Sequence, residues 1–336
     1  MSEPDLTVLT ALRRLQLIDQ QTVPAMIPLT GGVSSDIWRV DLPEGAVCVK
    51  RALPRLKVPS VWEVPVERNR YEWEWLQVAA AVAPDCVPTL VAQDTDSGCF
   101  VMQYLDSDTY PLWKDQLRRG IAEEATARAV GQRLAAIHGA TVSRPDIRDR
   151  FPTDHIFYAI RIEPYLLATA AQHDDLAVPL RRLASDTIAT KQALVHGDAS
   201  PKNILIGPHG PLFLDAECAW YGDPVFDLAF CLNHLLLKCL WTRSATDRFL
   251  RSFDALAEAY LSAATWDARA TLEGRTARLL PGLFLARVDG KSPVEYITED
   301  TDRALVRYVA RELLLQPVPT LCDVRTTWAE ALERTR

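Results

Sequence analysis

HGDASPKNILIGPHGPLFLDAECAWYGDPVFDLAF, residues 196–230, departs from the helical habit of the chain around it. Two β-type runs, NILI and PLFLD, are joined by a turn at Gly207 to Gly210. Asp198 and Asn203 stand five residues apart ahead of the first run, and Asp215 ends the second, with Glu217 two residues on. Folding the two runs together brings these oxygen-bearing side chains to one place. An Asp or Asn at a turn ordinarily caps backbone amides, and His-Gly-Asp alone reads that way. The spacing and the strand downstream favour chemistry instead.

That chemistry is phosphoryl transfer, which needs a carboxylate to orient an attacking hydroxyl and hard oxygen ligands to hold magnesium against phosphates. Asp198 fits the first role. Asn203 and Asp215 fit the second, with Glu217 placed to serve the metal directly or through water. His196 reads as a ring that bonds backbone and braces the loop. Asp227 reads as an anchor for that loop from a helix start, with Asp223 as N-cap and Pro224 at the first helical position.

Upstream, from Pro28 to about Leu105, short runs alternate with turns: LTGGVSSDIWRV, AVCVKRAL and CFVMQYL. They predict an antiparallel sheet. Between the second and third, Glu67 to Val82 has helical composition with Tyr71, Trp75 and Val78 on one face, so one helix packs on the sheet. From Gly120 onward helices dominate. The first, IAEEATARAVGQRLAAIHG, is expected to carry Ile121, Val130, Leu134 and Ile137 on one stripe and to close at Gly139. The fold class is α+β, with a sheet-bearing part over residues 1–105 and a larger, mainly helical part over 106–336.

Composition narrows the function. The chain has 336 residues, 48% hydrophobic and 24% charged, enough for a large core. A net charge of −7 without a basic run argues against nucleic acid as partner. Seven scattered cysteines with no C-x-x-C pair predict neither disulfides nor zinc, but buried thiols in a reducing cytosol. The N-terminus lacks the pattern of a signal peptide. The most apolar stretch, Phe226 to Trp241, is interrupted by Asp227, Asn233, His234 and Lys238, so no membrane span is expected. A cytoplasmic protein, monomer or homodimer, is the expectation.

HGDASPKNIL followed by FLDAECAWYGDPVFDLAF resembles the catalytic segment of the aminoglycoside phosphotransferase and choline kinase superfamily. The resemblance implies a bilobal protein-kinase-like fold, ATP and Mg2+ as cofactors, Asp198 as catalytic base, and Asn203 and Asp215 as magnesium ligands. Asp215-Ala216-Glu217 stands where protein kinases carry D-F-G. In the N-terminal part, VKRALPRLKVPSVWEVPVERNRYEWEWL is similar to methylthioribose kinases, including A-L-P, the tryptophan at Trp62 and the R-x-x-x-E that ends at Glu72.

Lys50, closing AVCVK, is placed to reach the α- and β-phosphates, and Glu72 to pair with it; Glu74, four residues from Arg70, is the competing partner, expected to be solvated. Gly31-Gly32-Val33-Ser34-Ser35 reads as a hairpin turn by itself and, before Lys50, as the phosphate loop, with Gly32, Ser34 and Ser35 as contacts. CFVMQYLD resembles the hinge strand, which puts the Gln103 to Leu105 backbone against adenine; Met102 reads as its neighbour or as core filler. Trp62 reads as a lid or as buried packing.

The acceptor is expected to be a small molecule with a hydroxyl, a sugar or an amino alcohol. An aminoglycoside is the alternative, and a nucleotide-binding regulator without catalysis is a reading from another class. Leu280-Pro281, where methylthioribose kinases carry adjacent arginines, and the presence of Asn203 argue against methylthioribose itself. A protein kinase is excluded by the short span, Cys218 to Val225, after the D-x-E. The family's acceptor pocket falls on Leu279 to Val288 and the loop ARVDGKSPVEY. Within it Arg287, Asp289 and Lys291 read as acceptor contacts or as a solvated helix cap and turn.

Overall fold

The structure is a computed structural model that describes residues 5–29, 35–53 and 67–335. The expected contacts Gly32 and Ser34 and the tryptophan Trp62 lie outside the described residues.

Alternation of side chains builds a five-stranded antiparallel sheet from β1 (Ala25–Pro28), β2 (Ser35–Leu42), β3 (Gly45–Ala52), β4 (Leu90–Asp94) and β5 (Cys99–Gln103), in the order β1-β2-β3-β5-β4. Because neighbouring residues face opposite sides, Val49 and Val101 point to one face and Cys48, Phe100 and Met102 to the other. The second face packs on the helix Arg68–Val82 through the expected Tyr71, Trp75 and Val78. The first face is covered by a helix not anticipated from sequence, Leu6–Arg14, which buries Val8, Leu9, Ala11 and Leu12. Asp5 caps it, accepting from the Thr7 and Val8 amides at 2.9 and 3.0 Å.

In the helical part, the helix beginning near residue 120 is shifted from its expected limits to Glu124–Thr141. Gly120, at φ +73°, ends the preceding turn, and Glu123 is extended, so Ile121 lies before the helix and is 42% exposed. Gly139 does not stop the helix; its missing Cβ lets the Trp266 ring lie close against it. Two hairpin-like pairs interrupt the helices: β6 (Ala193–Val195) with β9 (Trp220–Gly222), and β7 (Ile204–Gly207) with β8 (Gly210–Phe213).

The helix Val225–Trp241 follows and is buried from Val225 to Leu240. It starts one residue later than expected: Asp223 Oδ1 accepts the Val225 amide at 3.1 Å, and Pro224 occupies the cap itself. Against it pack Thr246–Ala263 and Arg269–Asp289. Among the described residues no helix is long and apolar enough to cross a membrane. Six cysteines are buried free thiols as expected, but Cys322, in the first turn of the helix Leu321–Glu333, is exposed.

Candidate active site

Asp227 ties the loop at residues 196–198 to the buried helix. Its Oδ2 accepts the His196 amide at 2.7 Å and its Oδ1 the Gly197 amide at 2.8 Å. His196 Nδ1 accepts the Asp198 amide at 3.1 Å, so the proton sits on Nε2 and is donated to Leu214 O at 3.0 Å. The ring braces both sides of the hairpin, and burial pushes it below the usual histidine range, which keeps it neutral. Gly197, at φ +78°, passes so close to Cys218 that a Cβ would sit 2.5 Å from its carbonyl oxygen.

Asp198 is 3% exposed and held by two cations, Arg161 Nη2 and Lys202 Nζ, each at 3.0 Å. Burial would raise its carboxyl, but Lys202 and Arg161 outweigh it and hold the group ionised below the ordinary range. Asn203 donates its Nδ2 proton to Asp198 O at 3.0 Å, which leaves its Oδ1 as an acceptor.

Lys50 joins the sheet to this loop. Its buried ammonium lies 2.7 Å from Glu72 and also bonds Asp215. One ammonium shared by two carboxylates splits them. Burial and the nearby Asp215 raise Glu72 to about 7 although Lys50 opposes them. Asp215 goes far below the carboxylate range because Lys50 and Lys202 overcome its burial. Asp215 adopts φ +65°, a left-handed conformation uncommon for a residue with a Cβ and a recurrent sign of a functional position.

Glu217 accepts from Arg68 Nε at 2.9 Å and is raised by burial and by Asp215. Glu74 is not solvated: Arg70 at 2.7 Å and Arg150 at 3.4 Å both pair with it, and its side chain is 13% exposed.

Lys50 joins Glu72 to Asp215, Arg68 holds Glu217, and Asp198 with Asn203 forms a neighbouring group, their charges close enough to act on one another. Among the described residues no group of three histidine, cysteine or carboxylate side chains forms a ready metal cage. Asn203 Oδ1, Asp215 and Glu217 are nevertheless hard oxygen donors of the kind that bind magnesium together with phosphates. Ser35, at the start of β2, is buried with its Oγ unpartnered among the described residues. Gln103 ends β5 and Leu105 lies two residues beyond it; Gln103 spends its amide on Thr89 O at 2.8 Å, and Met102 is in the core.

Three functional contacts escaped the sequence reading. Lys202 sits four residues after Asp198, a spacing open to inspection. Arg68 begins the R-x-x-x-E motif but was read only as the marker for Glu72. Arg161 lies in a π-helical stretch, Tyr158–Leu167, and nothing local marks it.

In the expected acceptor region, Arg287 and Asp289 are buried, not solvated; Asp289 bonds His173 at 2.8 Å and Arg307 at 2.6 Å. Lys291 is exposed and pairs with Glu163.

The family model described as the phosphotransferase enzyme family matches residues 25–272. Methylthioribose kinase 1 of Oryza sativa subsp. japonica is 26% identical over 225 residues, 57% of this chain and 51% of the relative. The chain spans little more than half the length of the first curated relatives it matches. Among solved structures, a choline/ethanolamine kinase family protein from Mesorhizobium loti aligns at TM-score 0.55 with 15% identity, covering 98% of this chain and 100% of the other. A spectinomycin phosphotransferase in complex with ADP and spectinomycin aligns at TM-score 0.53 with 11% identity, covering 98% and 100%. These two likenesses concern the fold.

Proposed function

The chain belongs to the phosphotransferase enzyme family, and on that premise we propose that it is a small-molecule kinase that moves the γ-phosphoryl group of ATP to a hydroxyl of a small, sugar-like metabolite. The observation that carries this reading is Lys50, bonded to Glu72 of the sheet-packed helix and to Asp215 of the distant hairpin. Phosphoryl transfer requires that linkage, because the phosphates lie between the two parts.

In this reading Lys50 holds the α- and β-phosphates and Glu72 fixes its direction. Gly32, Ser34 and Ser35 line the phosphate loop, and the backbone from Gln103 to Leu105 meets adenine. Asn203 and Asp215, with Glu217, would hold Mg2+, which when bound neutralises charge on the phosphates. Asp198 orients the acceptor hydroxyl and takes its proton. Arg161 and Lys202 keep that carboxylate ionised, so it accepts the proton only as the new bond forms. Of the expected acceptors, a sugar is preferred to an amino alcohol because the groups beside Ser200 are cationic.

Asp198→Asn tests the proposal. Acceptor-dependent ADP release is expected to fall about 10²–10⁴-fold or more, while nucleotide binding measured by calorimetry persists. Unchanged turnover would refute it, and nucleotide binding without any acceptor-dependent ADP release in the wild type would favour a nucleotide-binding regulator.

A further inference from the structure

Beside Asp198, the loop residues Ser200 and Lys202 form one wall of a small cavity of about 20 Å³, whose other walls include Lys114, Lys238, Arg287, Glu295 and Tyr296. Four basic side chains therefore surround a space of little more than one water molecule. Two of them are answered: Lys114 pairs with Glu295, and Lys202 with Asp198 at 3.0 Å. The other two form no salt bridge to a carboxylate among the described residues, although Glu295 lies close enough to act on Lys238.

Lys238 is 1% exposed, and its ammonium lies 3.9 Å from the Trp241 ring centre and 3.7 Å from that of Tyr296, two rings stacked 4.5 Å apart. Arg287 is 8% exposed and donates only to neutral groups, Tyr165 Oη at 2.9 Å and Ser292 Oγ at 3.1 Å and its carbonyl; its Nε has no partner. The hydroxyls of Ser200 and Tyr296 are buried and unpartnered among the described residues too. Buried cations are ordinarily paired, and buried hydroxyls ordinarily bonded. Two basic side chains without a carboxylate partner and two idle hydroxyls around one cavity describe a seat for an oxyanion.

Resting on the phosphotransferase reading, we propose that the acceptor is a hydroxy acid whose carboxylate sits between Lys238 and Arg287 and whose hydroxyl reaches Asp198. With room for little more than one water, the cavity receives the leading edge of a carboxylate and excludes a bulkier phosphate. Lys202 lines the cavity and touches Asp198, so seat and base lie within one side-chain length, the span of a short sugar acid. A cationic acceptor would instead meet Arg287 without a countercharge and would disfavour protonation of Lys238 further.

The titration of Lys238 agrees with this geometry. Burial, then Lys114 and Arg287, drive its ammonium down to about 6 against the weaker pull of Glu295 and Asp115; on its own helix His234 is likewise pushed far down by burial. At pH 7 the ligand-free side chain is therefore mostly the neutral amine, and an arriving carboxylate supplies the countercharge that lets it take up a proton. In the reaction the hydroxyl oxygen bonds the γ-phosphorus, the bond to the β-bridging oxygen breaks with its electron pair leaving on ADP, and the hydroxyl proton passes to Asp198.

The test pairs glycerate, erythronate, ribonate and gluconate with glycerol, erythritol, ribitol and glucitol, adding choline and ethanolamine. Calorimetric binding and ADP release are measured on the full chain and on Lys238→Met, Arg287→Met and Lys238→Arg. We expect acids alone to bind and turn over, an acid KM raised ~30-fold or more in either Met variant, partial rescue by Lys238→Arg, and an unchanged KM for ATP. Turnover of the alcohols or amines with the acids silent overturns the proposal, as does acid binding indifferent to both Met variants or absent altogether. Acids that bind through Lys238 and Arg287 without any ADP release would leave the carboxylate seat standing and remove the kinase reading.

Discussion

Replacing Lys238 by methionine should make the ligand-free protein more stable, by an amount that depends on pH. The folded chain brings the Lys238 ammonium from an ordinary value of 10.5 to about 6, chiefly by burial and then by repulsion from Lys114 and Arg287. Between these values the unfolded chain holds one proton more than the folded one, so wild-type stability rises with pH across that window, and the cost is complete below about 6. From 10.5 down to pH 7 is a span of about 3.5; at about 1.36 kcal/mol per step the ceiling is roughly 5 kcal/mol.

Methionine matches the unbranched stem but gives up the contact of the ammonium with Trp241 and Tyr296, worth about 0.5–2 kcal/mol each when charged. The net gain is about 1–4 kcal/mol at pH 7, or ~1–6 °C in Tm for a chain of this size. Thermal unfolding followed by circular dichroism at pH 6, 7, 8 and 9 reads it directly. The gap between variant and wild type should be widest at pH 6 and shrink toward pH 9. A variant less stable at every pH, or a gap that ignores pH, refutes the argument that a burdened cation lies in this cavity.

Arg68→Leu leaves Glu217 as a buried carboxylate without its partner and should cost about 3–5 kcal/mol in urea unfolding; Glu217→Gln on that background should restore part of it, and a simple sum of the two losses would argue against the pair. Gly197→Ala places a Cβ 2.5 Å from Cys218 O at positive φ and should lower the unfolding free energy in urea by about 2 kcal/mol or more, with neutral stability as the contrary result. Asp289 is held below the ordinary carboxylate range, burial being outweighed by Arg307 and His173; its contribution is therefore full above the unfolded pKa of ~3.9 and fades as pH falls through the lower folded value. Asp289→Asn should accordingly lose stability at pH 7 and converge with wild type as the pH falls below the lowered folded value, and a loss that persists in acid would place its cause elsewhere.

Much of the site could be read before any coordinates because its parts lie close together along the chain. Asp198, Asn203, Asp215 and Glu217 fall within one hairpin, where spacing and turn chemistry report directly on proximity. Lys50 and Glu72 were legible for a related reason: each closes or opens an element with a clear period, and the structure sets them 2.7 Å apart. The helix Leu6–Arg14 was missed because nine residues carry too little periodicity to stand out, and its stability comes from the sheet face it covers. Arg161 and Arg68 were missed as site residues because an arginine's partner is chosen by where distant elements dock.

Sequence alone determined the hairpin, the alternation of the sheet, the residues fit for phosphoryl transfer and the absence of a basic run, since each rests on neighbours within a few residues. Tertiary structure decided which charges are answered. Lys238 looked like one interruption in an apolar helix, and Arg287 like part of an exposed turn. Packing of Val225–Trp241 against Arg269–Asp289 buries both around one cavity beside Asp198. Burial and the lack of a countercharge are properties of the assembled fold, because the cost of a charge depends on everything that displaces water from it.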